Sequence, residues 1–471
     1  MKGNAYVPFM LSRGFMPNGF YGSPTAGRFV ADAISGADSL DIITIGDSNA
    51  GYSYGGFGGA GGGWTRGLLR GLNAAGAPTY GSGMMPIMSG GAGLTTGLAK
   101  EDDGTTVTAT SGFFSNVTAP SGTLLRGSAS GPTAVKAFAV PASAFMPYGT
   151  SNFDFAYVLT TTTNQSFSQL NATYPASPSF ATPTLPSWMQ PGTALRYRVT
   201  HARIPTSGGS IVPTVYKVLI PGQSYVSVAN ATRSTYSDTT DVDNAEVSFT
   251  YPTDTPVPGL IFGWNYIGTA TGPACALFDS VYKIAKGVAV TNMHYGSGQT
   301  TSTISGIVSG ANAGGKTFLE NYFKQIVLRQ IAAGGSGRVL VWLNSGINAP
   351  VDTGSVWSSG MGTMISTLQA AWVANGYNAA NLVFVCSVTH PLDTDYGGTT
   401  ESTLAATRTA ANAWAKTYSN TTVVDLSQLY TATQMTAAGY YSGTTTNEAH
   451  LSQAGYYAFG QSIINNLARC R

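Results

Sequence analysis

Ile42-Ile43-Thr44-Ile45-Gly46-Asp47-Ser48-Asn49 constrains the fold more than any other stretch of the chain. The apolar, β-branched run fits a strand buried on both faces, as in a parallel sheet. It stops abruptly at Gly-Asp-Ser and runs into a glycine-rich loop. In open α/β sheets, ligands bind beyond the carboxyl ends of the strands. Ser48 is therefore delivered to the place where a nucleophile would sit. Gly, Asp and Ser are also ordinary turn residues, so the tripeptide needs a base and oxyanion donors from elsewhere in the chain.

The rest of the sequence divides by texture. Residues 1–37 are punctuated by Gly and Pro and carry Phe9, Phe15, Phe20 and Tyr21; they read as an arm or packing segment. A strand is expected over about Ser39–Ile45 and a helix over Trp64–Ala75, where Trp64, Leu68, Leu69 and Leu72 share a face. From about Thr95 to Lys286, Thr, Ser and Val alternate with aromatics between closely spaced turn residues. Phe153–Leu159, Leu195–Thr200, Thr214–Leu219, Ser224–Val228 and Glu246–Tyr251 read as short strands of an antiparallel sandwich or jelly roll. Afterwards strands and helices alternate, which implies a parallel sheet. The strands are Gly287–Asn292, Arg338–Leu343, Asn381–Val388 and Thr421–Asp425. The helices are Phe318–Ala333, Met361–Asn375, Leu404–Tyr418 and Ser452–Leu467, with Ser452 as N-cap. One α/β domain, 38–97 plus 286–471, is thus interrupted by a β-sandwich at 98–285.

Composition narrows the partners. Charged residues make up 9% of the 471, far below the roughly 25% usual in soluble domains. The net charge is +2, with no basic run, so nucleic acid is not an expected partner. No apolar stretch approaches the roughly 20 residues of a membrane span, and no signal peptide is recognisable. A low-charge, Gly- and hydroxyl-rich surface suits an extracellular or virion-associated protein. The expected location is accordingly outside the cell or on a particle, without a signal peptide, and otherwise cytoplasmic at synthesis. Other virion proteins or a second copy of the chain are further possible partners. Three scattered cysteines, Cys275, Cys386 and Cys470, fit neither a disulfide framework nor a zinc site, and no metal or cofactor is implied. Asp238, Asp241 and Asp243 lack the spacing of a calcium loop.

Three further segments could complete a site around Ser48. His450 lies in Asn447-Glu448-Ala449-His450-Leu451-Ser452, at the mouth of the last expected helix. An imidazole is the side chain suited to act as general base near neutral pH. Asn344-Ser345-Gly346-Ile347-Asn348 follows one strand, and Tyr295-Gly296-Ser297-Gly298-Gln299 follows another. An Asn side chain or a glycine N–H at a strand end can donate to a developing oxyanion. Each also reads as an ordinary turn.

Taken in order, these segments resemble the SGNH hydrolase (GDSL-like esterase) family. Gly46-Asp47-Ser48 matches its first block and Gly298 its second, with Gly296 as the alternative. Gly346-Ile347-Asn348 matches the third, and His450-Leu451-Ser452 the last. The resemblance implies a flavodoxin-like three-layer α/β/α fold. It implies a catalytic Ser48 and His450, with an oxyanion site of Ser48 N–H, Gly298 N–H and the Asn348 side chain. A β module between the first two blocks resembles the organisation of some carbohydrate and peptidoglycan O-acetylesterases. The implied substrate is an acylated polysaccharide or other glycan, with acetyl as the expected acyl group.

Two departures stand out. Ala349 follows Asn348 where the family usually has Asp, and Asn447 stands where an Asp would orient the histidine. In the serine-protease template, Asp→Asn at that role costs about 10⁴ in kcat. Glu448, a backbone carbonyl, or Asp393 or Asp395 beyond the Asn381–Val388 strand could orient His450 instead. His390 in the same loop reads as a wall residue, and His201 and His294 as structural. Tyr157, Trp188, Tyr197, Tyr216, Tyr225 and Trp264 read as sandwich core, with a sugar-stacking platform as the alternative. Two other readings of the whole chain remain open: an inert or weakly active virion or surface protein that keeps the fold, and a lipase or thioesterase.

Overall fold

A computed structural model describes residues 15–47, 49, 63–81, 85–86, 114–115, 123–126, 154–159, 165–172, 188, 190–203, 209–218, 225–234, 241–253, 260–268, 274–294, 313–347, 354–441 and 450–470. The apolar strand is there, over Leu40–Gly46, buried at every position. It lies inside a sheet of six strands. In spatial order these are Phe20–Gly22, Thr421–Val424, Leu382–Val388, Val339–Ser345, Leu40–Gly46 and Val288–His294. Only the pairing of Phe20–Gly22 with Thr421–Val424 is antiparallel. Counted along the chain, the five parallel strands lie in the order 2-1-3-4-5, the flavodoxin-like arrangement.

Alternation of side chains along the strands creates two apolar faces. Ile43, Ile45, Val341, Leu343, Phe384 and Cys386 pack with the helices Ala313–Ala332, Ser355–Ala374 and Glu401–Trp414. Ile42, Val290, Leu340, Trp342, Val383 and Val385 pack with Thr25–Ile34, Gly63–Ala74 and Gln453–Leu467. The result is a three-layer α/β/α unit. The segment read as an arm contributes both the antiparallel edge strand and the helix Thr25–Ile34.

Helix Ser355–Ala374 starts six residues before the expected Met361. Ser355 to Gly362 looks like a loop by composition. Tertiary packing overrides that preference, because Trp357 is buried edge-on against Trp414 with ring centroids 5.6 Å apart.

The strands between Phe114 and Lys283 form two antiparallel sheets. One runs Tyr225–Asn230, Gly209–Val218, Leu260–Gly268, Gln165–Ala172, Phe114–Ser115. The other runs Asp241–Thr250, Ala194–Arg203, Ala274–Lys283, Asp154–Leu159, Thr123–Arg126. Asp241–Thr250 and Ala194–Arg203 of the second sheet contact Gly209–Val218 of the first, so the sheets face each other as a sandwich. Trp188 and Tyr197 are buried. The side chains of Tyr157, Tyr216, Tyr225 and Trp264 lie outside the described residues.

Polar side chains join the sandwich to the α/β unit. Asn244 donates to Gln325, and the rings of Tyr80 and Tyr282 meet edge-on. Tyr80 also donates to Asp41 Oδ2 at 2.8 Å. Asp41 receives Gln330 Nε2 at 3.0 Å and a short hydrogen bond from Arg329. Asp41 and Arg329 are both fully buried. Burial alone would lower the Arg329 pKa, but the neighbouring Tyr80 and Asp41 raise it above the usual arginine value, so the guanidinium stays charged.

Candidate active site

Three adjacent strands end together. Gly46 pairs with His294 on one side and with Asn344 on the other, so the three form one row at the carboxyl edge of the sheet. Ser48, Gly298 and Asn348 follow that row by two, four and four residues. These three residues, with Gly296, Asn447 and Glu448, lie outside the described residues. In the strand order 2-1-3-4-5, the switch point is between Leu40–Gly46 and Val339–Ser345, where a flavodoxin-like sheet opens its binding crevice.

The residues that border Ser48 are held tightly. Asp47 is fully buried, and its Oδ1 accepts the Asn49 N–H at 2.9 Å. The backbone N–H of Ile347, from the loop after the next strand, also hydrogen-bonds this carboxyl. Its other oxygen, Oδ2, has no hydrogen-bond partner among the described residues. Burial pushes the Asp47 pKa up to about 7, against the opposing hydrogen bonds from Asn49 and Ile347. Gly346, the residue before Ile347, has φ +124°, a conformation that side chains rarely adopt.

Asn49 then ties this loop to two helices. Its carbonyl accepts the Trp64 N–H at 2.8 Å, at the start of Gly63–Ala74. Its side-chain Oδ1 accepts the Tyr456 hydroxyl at 2.7 Å, from the first turns of Gln453–Leu467. The backbone N–H of Leu451 lowers the Tyr456 hydroxyl pKa that burial raises, as a donor near that oxygen does. Leu451 is the neighbour of His450. The segments carrying Ser48 and His450 are therefore joined by Asn49, Tyr456 and Leu451.

His450 itself is 6% exposed. Burial lowers its pKa to about 4, so the ring is neutral at pH 7. A neutral imidazole can accept a proton. Leu451 forms a bridge with Tyr441, and Ser452 caps the last helix by accepting Gly455 N–H at 3.1 Å. Tyr441 donates to the Pro391 carbonyl at 2.8 Å, and its ring lies 6.0 Å from that of His390. His390 is thus fully buried next to Tyr441, the bridge partner of Leu451, and His201 is fully buried in the sandwich. Asp393 and Asp395 are exposed, and Asp393 accepts from Thr436 at 2.8 Å.

Helices Gly63–Ala74 and Gln453–Leu467 approach more closely than side chains would allow. A Cβ on Gly460 would overlap the backbone of Gly67, and one on Gly71 would overlap the carbonyl of Gly460. This glycine contact sets the spacing between Gly63–Ala74 and the last helix, which begins three residues after His450. Sequence reasoning singled out neither these glycines nor the roles of Asp47, Asn49 and Tyr456. Asp47 and Asn49 flank Ser48, and Gly67 and Gly71 are spaced by one helical turn. Both signals were present, but without a partner in view they are uninformative.

No protein-family model matches the sequence, and no curated protein matches it. Solved structures do. The chain is similar to a peptidoglycan O-acetylesterase at 13% identity and TM-score 0.49, over 94% of this chain and 95% of that one. It is similar to a carbohydrate acetylesterase from Sinorhizobium meliloti at 16% identity and TM-score 0.25, over 38% of this chain and 78% of that one. A family two carbohydrate esterase from Clostridium thermocellum, solved with cellohexaose, matches at 12% identity and TM-score 0.25, over 58% of this chain and 90% of that one.

Among the described residues there is no cluster of three or more His, Cys, Asp or Glu side chains able to hold a metal ion. Among the same residues, no helix is long and apolar enough to cross a membrane.

Proposed function

We propose that this protein is a serine esterase that removes acyl groups, most simply acetyl, from a glycan. Ser48 Oγ attacks the acyl carbon while His450 takes its proton. His450 returns that proton to the departing sugar hydroxyl, leaving an acyl-Ser48 ester. Water, deprotonated by His450, then releases the carboxylic acid and restores Ser48. Ser48 N–H, Gly298 N–H and the Asn348 side chain donate to the oxyanion.

One observation carries this reading. The row Gly46, His294 and Asn344 lies at a flavodoxin-like switch point, and the reading is supported by the Tyr456 hydroxyl, on the helix that follows His450, donating to Asn49, the residue after Ser48. The glycan substrate class follows from the resemblance in organisation, an α/β unit interrupted by an antiparallel β unit.

The test compares wild type with Ser48→Ala on a chromogenic acetate ester and on O-acetylated polysaccharide. Loss of turnover in the variant is expected; equal rates would refute the proposal. A second reading has its own support. An imidazole with a pKa near 4 is a weak base, and Asn447 brings no charge to strengthen it. That favours a slow enzyme or a glycan-binding protein of the same fold. Binding of the deacetylated and acetylated polysaccharide with equal affinity, without turnover, would mark the second case.

A further inference from the structure

We infer that Asn49 and Tyr456 are positioning residues for this esterase site: the hydrogen bond between them sets the spacing of Ser48 and His450. The inference rests on the proposed esterase reading and adds two residues to it. Asn49 is the residue after Ser48, and Leu451 is the residue after His450. Between these neighbours stands Tyr456, on the helix that follows His450, whose hydroxyl donates to Asn49 Oδ1 at 2.7 Å and lies near the Leu451 N–H.

The link is short and its ends are rigid. Asn49 is fully buried and fastened on the other side by Trp64 N–H. The Tyr456 ring stands edge-on to Trp64 at 5.5 Å between centroids and is also buried. Below it, the glycine contact between the two helices leaves no room for the tyrosine backbone to shift, because a Cβ on Gly67 would overlap the Tyr456 carbonyl. Asp47 completes the clamp by accepting the Asn49 N–H at 2.9 Å and hydrogen-bonding the Ile347 N–H. A displacement of about 1 Å between nucleophile and base can cost 10²-fold in rate. A tyrosine hydroxyl between the two neighbours is suited to prevent such a displacement. Phenylalanine would keep the ring contacts and lose only the link.

The experiment measures kcat and KM of the full chain on p-nitrophenyl acetate for wild type, Ser48→Ala, Tyr456→Phe, Asn49→Ala and the Asn49→Ala/Tyr456→Phe double variant. Circular dichroism checks that each is folded. Tyr456→Phe is expected to lower kcat by about 10- to 100-fold with KM within about twofold. The double variant should be no slower than the slower single, because both substitutions break the same bond. A purely structural role would instead reduce the folded fraction and leave the kcat of the folded protein alone. Wild-type kcat in folded Tyr456→Phe, or losses that simply multiply in the double variant, would overturn the inference while the esterase reading stands. Wild type no faster than Ser48→Ala would overturn both.

Discussion

Asp47 and His450 make a prediction about stability that depends on both being buried. Burial lowers the His450 pKa from 6.5 to about 4 and raises the Asp47 pKa from 3.8 to about 7. Between pH 4 and 6.5 the unfolded chain carries a proton on His450 that the folded chain lacks. That group makes the protein more stable as pH rises, by about 1.4 kcal/mol per pH unit. Over the same interval the folded chain holds a proton on Asp47 that the unfolded chain has released. That group makes the protein less stable as pH rises, by the same slope. The two cancel, so in wild type the pair adds no pH dependence across this window.

Removing either partner exposes the other. Relative to wild type, Asp47→Asn should gain about 2 kcal/mol of stability between pH 4.5 and 6.0, on top of any constant offset. His450→Asn should lose about 2 kcal/mol over the same interval. Urea unfolding followed by fluorescence of the buried Trp64, Trp342, Trp357 and Trp372 measures both curves. Subtracting the wild-type curve removes the carboxylates elsewhere in the chain. Difference curves that stay flat with pH would refute the argument, because they would mean that neither group changes its proton affinity on folding.

Two packing predictions are independent of the chemistry. Gly460→Ala should destabilise the α/β unit by about 1–3 kcal/mol through overpacking against Gly67, even though alanine favours the helix by about 1 kcal/mol; thermal unfolding measures the difference. Replacing Arg329 by Met should cost about 3–5 kcal/mol, since it leaves Asp41 charged and buried, whereas Arg329→Met with Asp41→Leu should recover most of the loss in urea unfolding.

The class of the fold and the candidate nucleophile were legible in the amino-acid order alone. Largely apolar runs such as Ile42–Ile45, broken by Thr44 alone, and Val383–Cys386 fit strands covered by helices on both faces. Hydrophobic periodicity located most of the helices, and the change in texture near Thr95 marked the sandwich strands. The N-cap at Ser452 was legible because capping is local: the serine and the N–H it accepts are three residues apart.

The features that sequence patterns could not reveal involve partners far apart in the chain. Phe20–Gly22 is a strand because Thr421–Val424 lies beside it, and three residues carry no periodicity of their own. Asp47 is a turn residue by sequence; its high pKa comes from the packing that buries it. The close contact of the last helix with Gly63–Ala74 depends on Gly67 meeting Gly460, and its tie to Asn49 depends on Tyr456, across about four hundred residues of chain. A periodic pattern reports which face of an element is buried. It does not report which surface covers that face, because the hydrophobic effect is non-directional and the choice of partner is made by close packing and hydrogen bonding in three dimensions.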